Sequence, residues 1–97
     1  MKGLPKLIAF EWDKGNSDKN CKKHNVSNQE AEEVFFNRPL KIFADKKHSI
    51  LEERLIAHGI TNTKRGLTII FTIRKQKVRV ISARDIHKKE RGEYEKT

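Results

Sequence analysis

One cysteine, two prolines, one tryptophan and one tyrosine among 97 residues leave several architectures without material. A solitary Cys21 excludes an internal disulfide framework and any zinc site built on a cysteine pair, and it reads as a partly buried helix residue. The four histidines, His24, His48, His58 and His87, lack the close paired spacing of a zinc motif, and no aspartate-rich loop suggests calcium. Neither a metal nor a cofactor is expected. The longest apolar runs, such as Leu67 to Ile73 (LTIIFTI), fall far short of the roughly 18 residues that a membrane-crossing helix needs. The amino end, MKGLPKLIAFEWD, has no apolar core followed by small residues, so no signal peptide is read there. The expected location is the cytoplasm, with no membrane partner. There is also no glycine-rich phosphate loop and no Gly-x-Ser-x-Gly elbow, so any catalysis falls to ordinary side chains. With no repeat and no linker, residues 1–97 read as a single domain.

What the chain does have is positive charge. Lys and Arg number 22 against 13 Asp and Glu, a formal net charge of +9. Residues 74–97 carry the steepest excess, nine basic against four acidic, and most of it comes from Arg74, Lys75, Lys77, Arg79 and Arg84. Such a field attracts polyanions, nucleic acid first and an acidic protein partner second. Leu, Ile, Val and Phe make up about a quarter of the chain, enough for one small core.

Local patterns set the order of elements. A strand is expected at about Lys6 to Trp12, then Asp13 as the N-cap of a charged helix running to His24. In HNVSNQEAEEVFF, Asn25 suits a left-handed helix stop, Ser27 with Glu30 forms a capping box, and Val26 with Ala31 forms a hydrophobic staple. Ala31, Val34 and Phe35 line the core face of that second helix, and Pro39 prevents its continuation. Four strands are expected at about Leu40–Asp45, Glu53–Gly59, Gly66–Arg74 and Lys77–Arg84, the third central and paired with the fourth through a Lys75-Gln76 turn. A last helix is expected from about Asp85 to Tyr94. The fold class is α+β, a mainly antiparallel sheet packed with two N-terminal helices and a C-terminal one.

Two constellations bear on chemistry. On the last helix, His87, Glu90, Arg91 and Tyr94 share a face, which brings together groups suited to acid/base work on a phosphodiester or, equally, an ordinary solvated surface. On the second of the four strands, Arg54 shares a face with His58. On the last strand, alternation separates Arg79 from Arg84 unless a bulge lies between them. Ribonucleolytic cleavage suits such a set, because the substrate supplies its own nucleophile, the 2′-hydroxyl, and arginines can neutralise the transition state.

The chain resembles the BrnT-type toxins of bacterial type II toxin–antitoxin systems, small basic ribonucleases with a RelE-like fold. The resemblance rests on FEWD (Phe10–Asp13), Asn20, Lys23-His24 with Val26-Ser27, EAEEVF (Glu30–Phe35), DKKHS (Asp45–Ser49), EER (Glu52–Arg54), Gly59, ISAR (Ile81–Arg84) and KERGEYE (Lys89–Glu95). The sequence departs at Asn16, where the family usually has lysine, at Asn28, at Asn37-Arg38-Pro39, and at His58 and His87, which are not usually histidine. The resemblance implies a metal-independent endoribonuclease that cuts RNA to inhibit translation, with Arg79, Arg84, Arg54, His48, His24 and Glu53 as catalytic candidates. Lys23, Arg74, Lys77, Arg91 and Tyr94 are the candidates for RNA binding. It further implies neutralisation by a cognate, BrnA-like ribbon-helix-helix antitoxin in a hetero-oligomeric complex on operator DNA. The alternative is a catalytically weakened module that acts as antitoxin partner and operon corepressor.

Overall fold

Short-range signals position the helices before any long-range contact is needed. The structure, a computed structural model, describes residues 8–17, 19–48 and 52–96. The side chains of Cys21 and His48, on which two expectations fall, lie outside the described set. Asn25 adopts the left-handed conformation, φ 55°, directly after α1 (Lys19–His24). Ser27 then caps α2 (Asn28–Val34): its hydroxyl accepts the Glu30 amide at 3.0 Å, and the Glu30 carboxylate accepts the Ser27 amide at 3.1 Å. Two amides that the helix cannot satisfy are thereby paired reciprocally. Val26 and Ala31 flank the cap and are both buried, as a staple requires.

Five strands appear in the expected order along the chain. They are β1 (Ala9–Phe10), β2 (Lys41–Ala44), β3 (Leu55–Ile60), β4 (Gly66–Arg74) and β5 (Lys77–Asp85), ordered β1-β5-β4-β3-β2. β1 is parallel to β5 and every other pairing is antiparallel. The chain ends in α3 (Lys88–Tyr94), which completes the expected α+β arrangement. One sheet face, carrying Ala57, Leu67, Ile69, Phe71, Val78, Val80 and Ala83, packs on Val26, Ala31, Val34 and Phe35. Phe35 meets Phe71 edge-on at 5.1 Å and Phe10 at 5.5 Å, geometry in which aromatic quadrupoles attract. At Gly59 a Cβ would stand 2.7 Å from Val34 Cγ1, so glycine lets α2 approach β3 this closely.

Several boundaries differ from expectation, each for a visible reason. Among the described residues the first strand is only Ala9–Phe10. Asp13 does not cap a helix: its carboxylate accepts the Gly15 amide at 2.8 Å and binds Arg79, and the chain turns through residues 14–17 before α1. Trp12 is half-buried and donates its indole N–H to Glu32 at 2.7 Å. α3 begins at Lys88 rather than Asp85, because β5 continues through Asp85, paired with Leu67. Lys75 and Gln76 both take positive φ, 50° and 66°, and reverse the chain in two residues. That is the mirror-image turn which matches strand twist, reached here without glycine or asparagine.

Candidate functional site

A bulge decides which side chains share the second sheet face. Along β4 and β5, Ile70 pairs with Ser82 but Phe71 pairs with Val80, so Ile81 is an extra residue. Alternation is reset across it: Val78, Val80 and Ala83 are all buried against the helices, while Arg79 and Arg84 both project from the opposite face. The register extends this second face in rows, with Lys41, His58, Thr68 and Arg84 in one, and Phe43, Ile56, Ile70 and Ser82 in the next. Thr72 and Arg79 form a third, beside Arg54, whose carbonyl accepts the Asp45 amide at 2.8 Å just before β3. Ile56, Ile70 and Ser82 are only half-buried and Phe43 is 46 % exposed, so the middle of the face is open.

Along the strand direction, the sequence-predicted residues sort to the two ends of the sheet. Arg54, Glu53, Arg74, Lys77 and Arg79 gather at the hairpin end, where the backbone of His48, in the short 3₁₀ turn Lys46–His48, also lies between β2 and β3. Glu53 is exposed and its carbonyl accepts the Thr72 hydroxyl at 2.7 Å. Lys77 is exposed, and Arg74 pairs with Glu52 at 3.3 Å. Arg79 binds Glu11 at 2.9 Å and both oxygens of Asp13 at 2.8 and 3.0 Å. Asp13, and then Glu11, hold this guanidinium permanently charged, while Arg79 lowers the Asp13 carboxyl.

Arg84, His24, Lys23, Arg91 and Tyr94 lie at the opposite end. Arg84 grips Glu90 through two parallel bonds of 2.8 and 2.9 Å and donates to the Asp85 carbonyl at 3.2 Å. Such a fork is the strong form of the Arg–carboxylate pair. Glu90 also accepts the Thr68 hydroxyl at 3.0 Å and the His87 amide at 2.8 Å, which ties α3 to the sheet. Tyr94 is buried and donates to the Pro39 carbonyl, with Lys41 5.4 Å above its ring. Lys23 and Arg91 are exposed. The carbonyl of His24 accepts Arg65, whose guanidinium binds Asp85 at 2.7 Å and Glu30 at 3.1 Å and thereby joins α2 to β5. Arg79 and Arg84 stand opposite Thr72 and Thr68, four residues apart on β4, or about 13 Å along the strand. Held toward different carboxylates, they bracket the open face instead of converging on one point.

Sequence reasoning set His58 aside and did not reach Lys41, Phe43 or Thr68. Thr68 and Thr72, at 1 % and 3 % exposure, were hidden by their neighbours in an apolar run, although their alternation with Leu67, Ile69 and Phe71 carries the signal. His58 is 5 % exposed, and burial lowers its pKa against the pull of Glu90. Its Nε2 stands 3.7 Å from Glu90 Oε2, beyond hydrogen-bonding reach, and has no other partner among the described residues. With Lys41, Phe43, Ile56, Glu90 and Tyr94, it lines a groove of about 370 Å³ under α3.

Glu90 makes the site acid-sensitive. The Arg84 guanidinium first, then the His87 amide and Thr68 hydroxyl, bring its pKa from 4.5 down to about 2 against the cost of burial. A carboxylate lowered on folding stabilises the native state fully above its unfolded pKa and loses that contribution as pH falls through the folded value. The window therefore runs from about pH 4.5 to 2, with a ceiling of about 3 kcal/mol. Urea unfolding at about pH 5 and about pH 2.5 should show a larger loss of stability for the wild type than for Glu90→Gln; equal losses would locate the acid sensitivity in other carboxylates.

Among the described residues no helix is long and apolar enough to cross a membrane, and no group of three or more His, Cys, Asp or Glu is arranged to hold a metal. A family model described as "Ribonuclease toxin, BrnT, of type II toxin-antitoxin system" matches residues 12–90. No curated protein matches the chain.

Proposed function

Because this chain belongs to the BrnT family of ribonuclease toxins of type II toxin–antitoxin systems, we propose that it cleaves RNA laid across the open sheet face, without a metal, and so inhibits translation until a cognate antitoxin covers that face. The observation that carries this reading is the bulge at Ile81, which turns Arg79 and Arg84 to the same sheet face of a chain with net charge +9. Their separation suits successive parts of one strand.

In the proposed reaction the 2′-hydroxyl of one nucleotide attacks the adjacent phosphorus. Its proton passes to a general base, the P–O5′ bond breaks, and a general acid protonates the departing oxygen. The products are a 2′,3′-cyclic phosphate and a 5′-hydroxyl. Arg84 is assigned to the charge that develops on the non-bridging oxygens. Glu90 and the Asp85 carbonyl engage three of its donor bonds among the described residues, which fixes the guanidinium plane before substrate arrives. Arg54 and Arg79 hold the strand at the hairpin end, with the candidates His48 and Glu53 beside them, about 13 Å along the sheet from Arg84. Proton transfer at the phosphate beside Arg84 is therefore assigned to His24. Lys23, Arg74, Lys77 and Arg91 supply phosphate attraction that carries no sequence information. Tyr94, its hydroxyl committed to Pro39, supports the groove wall.

A second reading has its own support. Arg79 and Arg84 are each matched by carboxylates of this same chain, which lowers the field they offer to a phosphate. On that reading the protein is a catalytically weakened module that binds a ribbon-helix-helix, BrnA-like antitoxin and serves as operon corepressor. Expression without antitoxin separates the two. Growth arrest with fragmented RNA is expected from the ribonuclease, while healthy growth and intact RNA from a folded, abundant protein would favour the binding module.

A further inference from the structure

We propose that the groove between α3 and the sheet is a pocket for one unpaired nucleobase of the RNA, with Phe43 as its stacking surface and His58 as the group that reads its edge. The inference rests on the RNA-cleaving reading above and adds a source of nucleotide preference to it.

Three observations support it. First, His58, which lines the groove, is a polar side chain more than nine-tenths buried, and its buried Nε2 has no hydrogen-bond partner among the described residues. A buried nitrogen in that state costs free energy until a ligand satisfies it. Second, Phe43 is 46 % exposed although it projects from a sheet face, and it contacts the His58 ring edge-on at 5.1 Å. An exposed aromatic beside an unsatisfied imidazole is the pairing that unstacked bases use, one group for the π-face and one for the edge.

Third, the charge lining the groove selects the part of the nucleotide. Glu90 and Glu93 oppose Lys41 and Lys89, and Lys41 already donates to the Tyr94 carbonyl. A phosphate gains little from so balanced a lining, whereas a neutral planar heterocycle meets apolar walls at Ile56 and Tyr94. The volume of about 370 Å³ lies within the range of small-molecule sites. The sugar and phosphate then run out toward Arg84, two strands from His58 in the same row, with Thr68 between them.

Chemical-shift titration of the full chain with each of the four nucleoside 5′-monophosphates, and with ribose 5-phosphate as the baseless control, tests the pocket apart from catalysis. At least one nucleotide should bind about fivefold or more tightly than ribose 5-phosphate, with the largest shifts at Phe43, His58 and Tyr94. Phe43→Ala, a change at an exposed position, should erase that difference, as should His58→Phe. Equal binding of ribose 5-phosphate and the best nucleotide would overturn the proposal, as would shifts confined to other surfaces. So would an antitoxin peptide that occupies the groove of a protein blind to all four bases. Base discrimination in a protein that leaves RNA intact would uphold the pocket and count against the cleavage reading; cleavage without discrimination would do the reverse.

Discussion

Arg84→Ala is expected to reduce RNA cleavage about 10²–10³-fold, the cost of removing one preorganised donor from a developing oxyanion. The substitution also strips Glu90 of its fork, and that carboxylate is 25 % exposed in its side chain and faces a buried histidine. A loss of stability therefore accompanies the loss of activity and has to be separated from it. The double variant Arg84→Ala/Glu90→Gln does so, because it removes the stranded charge while Gln can still accept the Thr68 and His87 hydrogen bonds. Its thermal stability should recover most of what Arg84→Ala loses, while cleavage stays low. Arg84→Lys should restore cleavage only in part, since an ammonium keeps the charge but cannot reproduce the two parallel bonds. Recovery of cleavage together with stability in the double variant would assign Arg84 a bracing role for α3 and nothing more.

The largest expected effect on stability belongs to Asn16. Its side chain is buried at 3 % exposure and makes three bonds: it accepts the Asp13 amide at 2.8 Å and donates to the carbonyls of Glu11 at 3.0 Å and Val80 at 2.9 Å. The amide thus joins the segment after β1 to the β5 strand just before the bulge. Asn16→Ala should cost about 3 kcal/mol, three hydrogen bonds at about 1 kcal/mol each. Against a total of about 5–15 kcal/mol for a domain of this length, that is a large share, and it is readable as a lower urea midpoint with an unchanged slope. A change below about 0.5 kcal/mol would mean that water replaces the amide at no cost.

Asn16 also illustrates where the sequence misleads. The resemblance marked it only as a departure from a usual lysine; the structure gives it an interior role, because a short polar side chain there can satisfy backbone groups of two segments at once. Asp13 misled in the same way. Its residue type suits a helix cap, but Arg79, distant in sequence, competes for the carboxylate, and no local pattern reveals that partner. By contrast, the Ser27–Glu30 box, the staple at Val26 and Ala31, and the bounds of β4 were legible because local geometry alone determines them. The bulge was legible only as a condition. Nothing in VRVISARD marks Ile81 as the extra residue, since bulge and regular strand differ in pairing with β4 rather than in residue type. That one register shift converts two arginines on opposite faces into two on the same face, so the candidate site depends on a long-range fact. His58 was visible by strand parity; its unsatisfied nitrogen required the packing of α3.

The central claim is that the open sheet face promotes attack by the substrate's own 2′-hydroxyl. The most direct measurement is end-group analysis of RNA incubated with the purified protein in the presence of a metal chelator, beside the same RNA carrying 2′-O-methyl groups. The account predicts 2′,3′-cyclic phosphate and 5′-hydroxyl ends from the unmodified RNA and no cleavage of the methylated one. Fragments with 5′-phosphate ends, or cutting of the methylated RNA, would contradict it.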